Sequence, residues 1–151
     1  MSVENKYEEE IRYRIAQLSQ AAPGTIGDIL QFRFLHYDPA EDVYALTCQT
    51  EDWMRNAAGT LHGGMCATIL DQAMGFVSFC RKPGDGTAPT IQLAVDYHRP
   101  LIPGETVLIK VRVISITHTL MHLSAEAMRC DHPEKVCLSG SGIYFYKPSE
   151  D

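Results

Sequence analysis

Apolar residues recur at helical spacing at Tyr7, Ile11, Ile15 and Leu18, which predicts a helix over residues 3–18. Glu8–Arg12 and Glu10–Arg14 stand at i,i+4, the spacing of charge pairs on an outer helix face. Pro23-Gly24 ends this helix. Residues 29–37 and 43–50 read as two strands, divided by the turn-forming run Asp38-Pro39-Ala40-Glu41-Asp42. A long apolar helix is expected from His62 to about Arg81, stopped by Pro83-Gly84-Asp85-Gly86. Everything after it is strand-like: residues 87–98, 106–117, 121–130 and 136–146. One long helix followed by closely spaced strands predicts a single α+β domain, an antiparallel sheet wrapped on a central helix.

Composition narrows the class without naming a function. A length of 151 residues, 45% hydrophobic and 21% charged, fits one ordinary globular domain. No run of about 18 apolar residues is present, so no membrane span is expected. The acidic first ten residues lack the basic and apolar regions of a secretory signal, which makes the cytoplasm the expected compartment. Cys48, Cys66, Cys80, Cys130 and Cys137 form no CxxC pair and read as reduced, mostly buried thiols. The net charge of −6 argues against a nucleic-acid binder, although an anionic small molecule needs only a few local cations. Arg81, Lys82, Arg99, Lys110 and Arg112 are available for that purpose. His118 and His122 have the spacing of a helical zinc pair, but they fall in a β-patterned region without a third ligand, so no metal is expected.

The chemistry concentrates in Asn56-Ala57-Ala58-Gly59-Thr60-Leu61-His62-Gly63-Gly64 and the helix that follows. Helix starts carry unpaired N–H groups and partial positive charge, so they bind developing negative charge. Asp71 lies inside that apolar helix, where a carboxylate is costly unless it has a partner or a task. Gly64, Ala67, Thr68, Asp71, Gly75 and Ser78 form a stripe of small residues, which leaves Met65, Ile69, Phe76 and Phe79 for the sheet. Asp71 comes nine positions after His62, about 13 Å along a helix, too far for one carbonyl to touch both. Two copies packed antiparallel about a two-fold axis close that gap, so a composite site in a dimer is expected. A glycine turn used for shape alone and an aspartate that merely caps a backbone are the competing explanations. The joint register of Asn56, Gly59 and Asp71 weighs against both.

That motif resembles the hotdog-fold acyl-CoA thioesterases, specifically the phenylacetic acid degradation (PaaI-type) subfamily. The run Ala88-Pro89-Thr90-Ile91-Gln92-Leu93-Ala94-Val95-Asp96-Tyr97-His98-Arg99-Pro100 looks like that subfamily's third strand, and Gly140-Ser141-Gly142-Ile143-Tyr144-Phe145-Tyr146 like its last. The resemblance implies a hotdog domain over residues 25–151 behind an N-terminal helical extension, residues 1–24. It implies hydrolysis of acyl-CoA thioesters to free acid and CoA, with no cofactor, CoA being part of the substrate. The carbonyl-polarising groups fall on the Gly63 N–H and the Asn56 side chain, with His62 orienting the turn or the thioester. The carboxylate falls on Asp71 and the water-positioning hydroxyl on Thr90. Gly64 and Arg99 are assigned to substrate binding. The implied assembly is a homodimer or a dimer of dimers. A hotdog module that binds acyl-CoA without turning it over is the alternative, and Asp71 speaks against it.

Overall fold

Helix α1 (Val3–Ala21) starts at Ser2, whose hydroxyl accepts the Asn5 N–H at 3.3 Å, the usual service of a serine cap. It outlasts the expected end at Leu18 and closes with the Ala22 N–H on the Leu18 carbonyl. The Glu10–Arg14 pair forms at 2.6 Å, whereas Glu8 and Arg12 do not pair with each other. Both reach the outer edge of strand β1 (Arg33–Asp38) instead. Glu8 accepts the Tyr37 N–H, and Arg12 donates to the Phe34 and Leu35 carbonyls while stacking on the Phe34 ring. An edge strand exposes unpaired backbone groups, and α1 satisfies three of them.

The computed structural model describes residues 2–82 and 86–146. The expected helix stop at Pro83-Gly84-Asp85 therefore lies outside the described residues. The strand expected from residue 29 begins only at Arg33. A four-residue helix, α2 (Ile26–Ile29), comes first, and Gln31 then turns the chain at a φ of 46°. Leu30 is fully buried there. The apolar run serves the core through a turn rather than a strand.

Strands β2 (Val43–Gln49), β3 (Thr90–Tyr97), β4 (Thr106–Ile116), β5 (Leu120–Arg129) and β6 (Val136–Phe145) complete a sheet in the order β1-β2-β4-β5-β6-β3, antiparallel throughout. Helix α3 (Gly63–Arg81) packs against β2 through β6, the hotdog architecture. Its core side carries Ile69, Leu70, Ala73, Met74 and Val77, all fully buried. No described helix is long and apolar enough to cross a membrane.

Helix and sheet meet most closely at β6. A Cβ on Gly140 would stand 3.0 Å from Leu70 Cδ1 and 2.7 Å from the Ala94 carbonyl oxygen; one on Gly142 would stand 3.1 Å from Met74 Cε. Neither position has room for a side chain, and that lets α3 sit directly on the strand. Strand β3 is the far edge of the sheet, and most of its residues are exposed.

Four of the five cysteines are buried, and only Cys130 is exposed. Burial pushes the Cys48 thiol up to about 12, Cys66 to about 11 and Cys80 to about 12. The unfolded chain ionises such thiols near a pKa of about 8.5, so between that value and the native pKa the unfolded state holds fewer protons. Their stabilisation is complete below pH ~8.5 and falls as pH rises, by at most about 1.4 kcal/mol per pH unit per thiol. Urea unfolding at about neutral pH and at pH ~10 checks this, with a lower midpoint expected in alkali.

Candidate active site

Asp71 stands in the third turn of α3 on a half-exposed face shared with Ala67, Thr68 and Gly75. Ser78, expected on the same stripe, is instead buried and donates to the Met74 carbonyl at 2.9 Å, which satisfies its hydroxyl within the helix. Outside its own helix, no described residue lies within 4 Å of a Cβ placed on Gly75. Asp71, Gly75, Phe79, Pro89, Thr90 and Tyr144 line a cleft of about 320 Å³. That is the lower end of small-molecule sites.

Two side chains hold the carboxylate. The Thr90 hydroxyl donates to Asp71 Oδ1 at 2.8 Å, and the Tyr144 hydroxyl donates to the same oxygen at 2.9 Å. Tyr144 also lies 3.1 Å from the Asp71 carbonyl. Its ring is buried, and burial first, then the Asp71 charge, keeps the phenol protonated as a permanent donor. Oδ2 accepts no hydrogen bond among the described residues. Tyr144 was present in the closing-strand motif, but no role was readable from it. Its signal is the alternation Gly142–Tyr144: a Cβ on Gly142 would stand 2.7 Å from the Tyr144 ring. The missing side chain gives the ring its path to Asp71.

His62, Gly63 and Gly64 stand at the N-terminus of α3, two turns before Asp71. His62 caps the helix, its Nδ1 accepting the Gly64 N–H at 2.9 Å. That bond defines Nδ1 as the unprotonated nitrogen and occupies the Gly64 N–H. The Gly63 N–H keeps no partner among the described residues. Tyr97 arches over this turn, its hydroxyl donating to the Gly63 carbonyl at 2.6 Å. Asn56 is turned inward on its own loop: Oδ1 accepts the Ala58 and Thr60 N–H groups, and Nδ2 donates to the Thr60 hydroxyl at 2.9 Å. Its amide spends one N–H on shaping the loop and retains the other. Gly63 and Asp71 are eight residues apart, about 12 Å along the axis, too far for one small group to touch both within a chain.

Most candidate cations are occupied elsewhere. Arg81 pairs with Asp42 at 2.6 Å, bonds the Tyr44 hydroxyl and stacks on Tyr7, closing the C-terminal end of α3. The Lys82 ammonium lies 4.9 Å from the Phe79 ring centre. Arg112 pairs with Glu41. Arg99 donates to the Val136 carbonyl at 2.7 Å and stays exposed. Among the described residues, no group of three or more His, Cys, Asp or Glu side chains could hold a metal ion.

The sequence pattern of the thioesterase superfamily matches residues 58–135. Acyl-coenzyme A thioesterase 13 of Homo sapiens and that of Pongo abelii are each 30% identical over 78 residues, 52% of this chain and 55% of theirs. The match thus spans about half the length of these curated relatives. The Escherichia coli PaaI protein from the phenylacetic acid degradation operon superposes with a TM-score of 0.76 at 16% identity, covering 98% of each chain. Thioesterase superfamily member 2 of Mus musculus gives 0.72 at 18% identity, with 91% and 95% coverage. A Streptococcus mutans protein solved bound to acetyl CoA gives 0.66 at 21%, with 80% and 91% coverage.

The Tyr144 hydroxyl has one measurable consequence. Tyr144→Phe keeps the ring and removes a hydrogen bond to a charged group, which is expected to cost about 1.5–3 kcal/mol of stability by urea unfolding. A value near zero removes the tyrosine from the support of Asp71.

Proposed function

Because this chain belongs to the thioesterase superfamily, we propose that it hydrolyses acyl-CoA thioesters in a site completed by a second copy. The observation that carries this reading is the Asp71 carboxylate fixed by Thr90 and Tyr144 at the wall of an open cleft. The names of the curated relatives and the acetyl CoA bound by one structural neighbour support the substrate class.

Strand β3 supplies the geometric argument for the dimer. Its two ends touch the two half-sites: Thr90 bonds Asp71, and Tyr97 bonds Gly63. It is also an unpaired edge with Ile91 and Tyr97 more than half exposed. Edge strands invite pairing with another chain. Antiparallel pairing of two β3 strands about a point between Leu93 and Ala94 sets Thr90 of one copy opposite Tyr97 of the other. The same operation would turn the Asp71 side of one copy toward the Gly63 turn of its partner, an isologous arrangement.

In that site the thioester carbonyl would sit on the Gly63 N–H, where the helix N-terminus stabilises the oxyanion. Asp71 acts as general base through Oδ2, and the Thr90 hydroxyl, already donating to Oδ1, offers its lone pairs to the attacking water. The leaving thiolate has a parent pKa of about 8.5, by analogy with cysteine, so no strong general acid is required.

Asp71→Asn is expected to lose at least about a hundredfold in turnover of acyl-CoA, read as thiol release, with the fold intact. Unchanged rates exclude Asp71 from catalysis. The composite site has its own test in Gly63→Pro. Proline is favoured at the first helical position, and His62, at ψ 136°, already has the backbone that precedes proline. The substitution removes the N–H and sets a ring carbon where a carbonyl would accept it, and a loss of at least about 10²–10³ in kcat is expected. Co-refolding the two inactive variants regenerates one intact site per mixed dimer and restores activity. Mixtures no more active than either parent overturn the shared site.

A further inference from the structure

The end of β3 reaches the start of α3. Tyr97, the last residue of the strand, donates its hydroxyl to the Gly63 carbonyl at 2.6 Å. Its ring lies over the same glycine: a Cβ on Gly63 would stand 3.5 Å from the hydroxyl oxygen and 3.6 Å from Cζ and Cε1. The amide joining Gly63 to Gly64 is therefore held at both ends, its carbonyl by Tyr97 and its N–H by His62 Nδ1 at 2.9 Å. Hydrogen bonds at the two ends of one amide polarise and strengthen each other. The preceding amide is fixed through its carbonyl, which accepts the Cys66 N–H at 3.0 Å, while its Gly63 N–H keeps no partner among the described residues. Glycine loses more backbone freedom on folding than any other residue, so a turn with two of them needs such anchors to present a donor in one direction. Tyr97 is 56% exposed, so core packing does not account for where it sits. It is also the one anchor of this turn that comes from the strand whose other end, Thr90, bonds Asp71.

We infer that Tyr97 is a positioning residue of the hydrolase, and that its hydroxyl fixes the direction of the free Gly63 N–H that receives the oxyanion. The inference rests on the hydrolase reading above and adds a residue that the glycine motif itself does not contain. Tyr97 acts through the Gly63–Gly64 amide rather than on the ester. A donor already held in place stabilises charge as it develops without reorienting, so the hydroxyl serves the transition state. Binding of the CoA portion in the ground state does not depend on it.

Tyr97→Phe keeps the ring and removes the hydroxyl, and Tyr97→Leu removes both; sedimentation and thermal unfolding check assembly and fold. Tyr97→Phe is expected to lower kcat for acyl-CoA about tenfold or more, with KM within about twofold of the wild type. Two ligands that are not hydrolysed separate positioning from architecture. A CoA analogue carrying a trifluoromethyl ketone, whose hydrate mimics the tetrahedral species, should bind the variant about tenfold more weakly. An S-alkyl CoA thioether, which has no carbonyl, should bind both proteins equally. Unchanged kcat in the folded variants overturns the inference, as does a rise in KM alone or an equal loss for both ligands. Tyr97→Leu carries the same test where Tyr97→Phe does not fold, and loss of the fold in both makes the residue structural and rejects the inference. A wild type that turns over no acyl-CoA sinks the hydrolase reading and this inference with it. Turnover by the wild type that Tyr97→Phe matches sinks the inference alone.

Discussion

The seating of α3 on β6 without intervening side chains sets the geometry of everything near Asp71. Gly140 and Gly142 let Leu70 and Met74 touch the strand, so the helix lies closer to the sheet than ordinary residues would allow. The same vacancy at Gly142 frees the Tyr144 ring to reach the helix and donate to Asp71. A buried phenol and a half-exposed carboxylate would each be costly alone; paired, the phenol is satisfied and the carboxylate is oriented. The support of Asp71 and the packing of the core therefore share the same residues, and a larger residue at position 142 would disturb both.

The N-terminus of α3 follows a different logic. His62 closes the cap on Gly64, Tyr97 takes the Gly63 carbonyl, and Asn56 ties its loop together. The turn becomes rigid while the Gly63 N–H stays uncommitted. Preorganised donors stabilise an oxyanion because they need not reorient as charge develops. Strand β3 links this rigid donor to the Asp71 carboxylate, so an edge-to-edge dimer would set both halves of the site with one interface.

Helix α1 shows how a surface element comes to serve the sheet. Glu8 and Arg12 cover the edge of β1, the end of the sheet opposite β3. One edge of the sheet is thus covered by the chain's own first helix, whereas β3 at the other edge has a paired strand on one side only. On its other flank α1 leaves an apolar slot against Phe76 and Phe79. Its charged residues looked like a solvated face in the sequence because spacing along one helix says nothing about which strand lies beside it.

Local patterning was enough to read the long helix, its start at His62, the strands after residue 87 to within a few residues, and Asp71 as an unusual acid. Those features depend on periodicity and on neighbours close in the chain, which the order of residues records directly. Tyr144 as a partner of Asp71, the turn through Leu30, the burial of Ser78 and the withdrawal of Arg81 into a pair with Asp42 were not legible. Each joins residues far apart in the chain, and only the packing of helix on sheet decides which of many possible contacts has room to form.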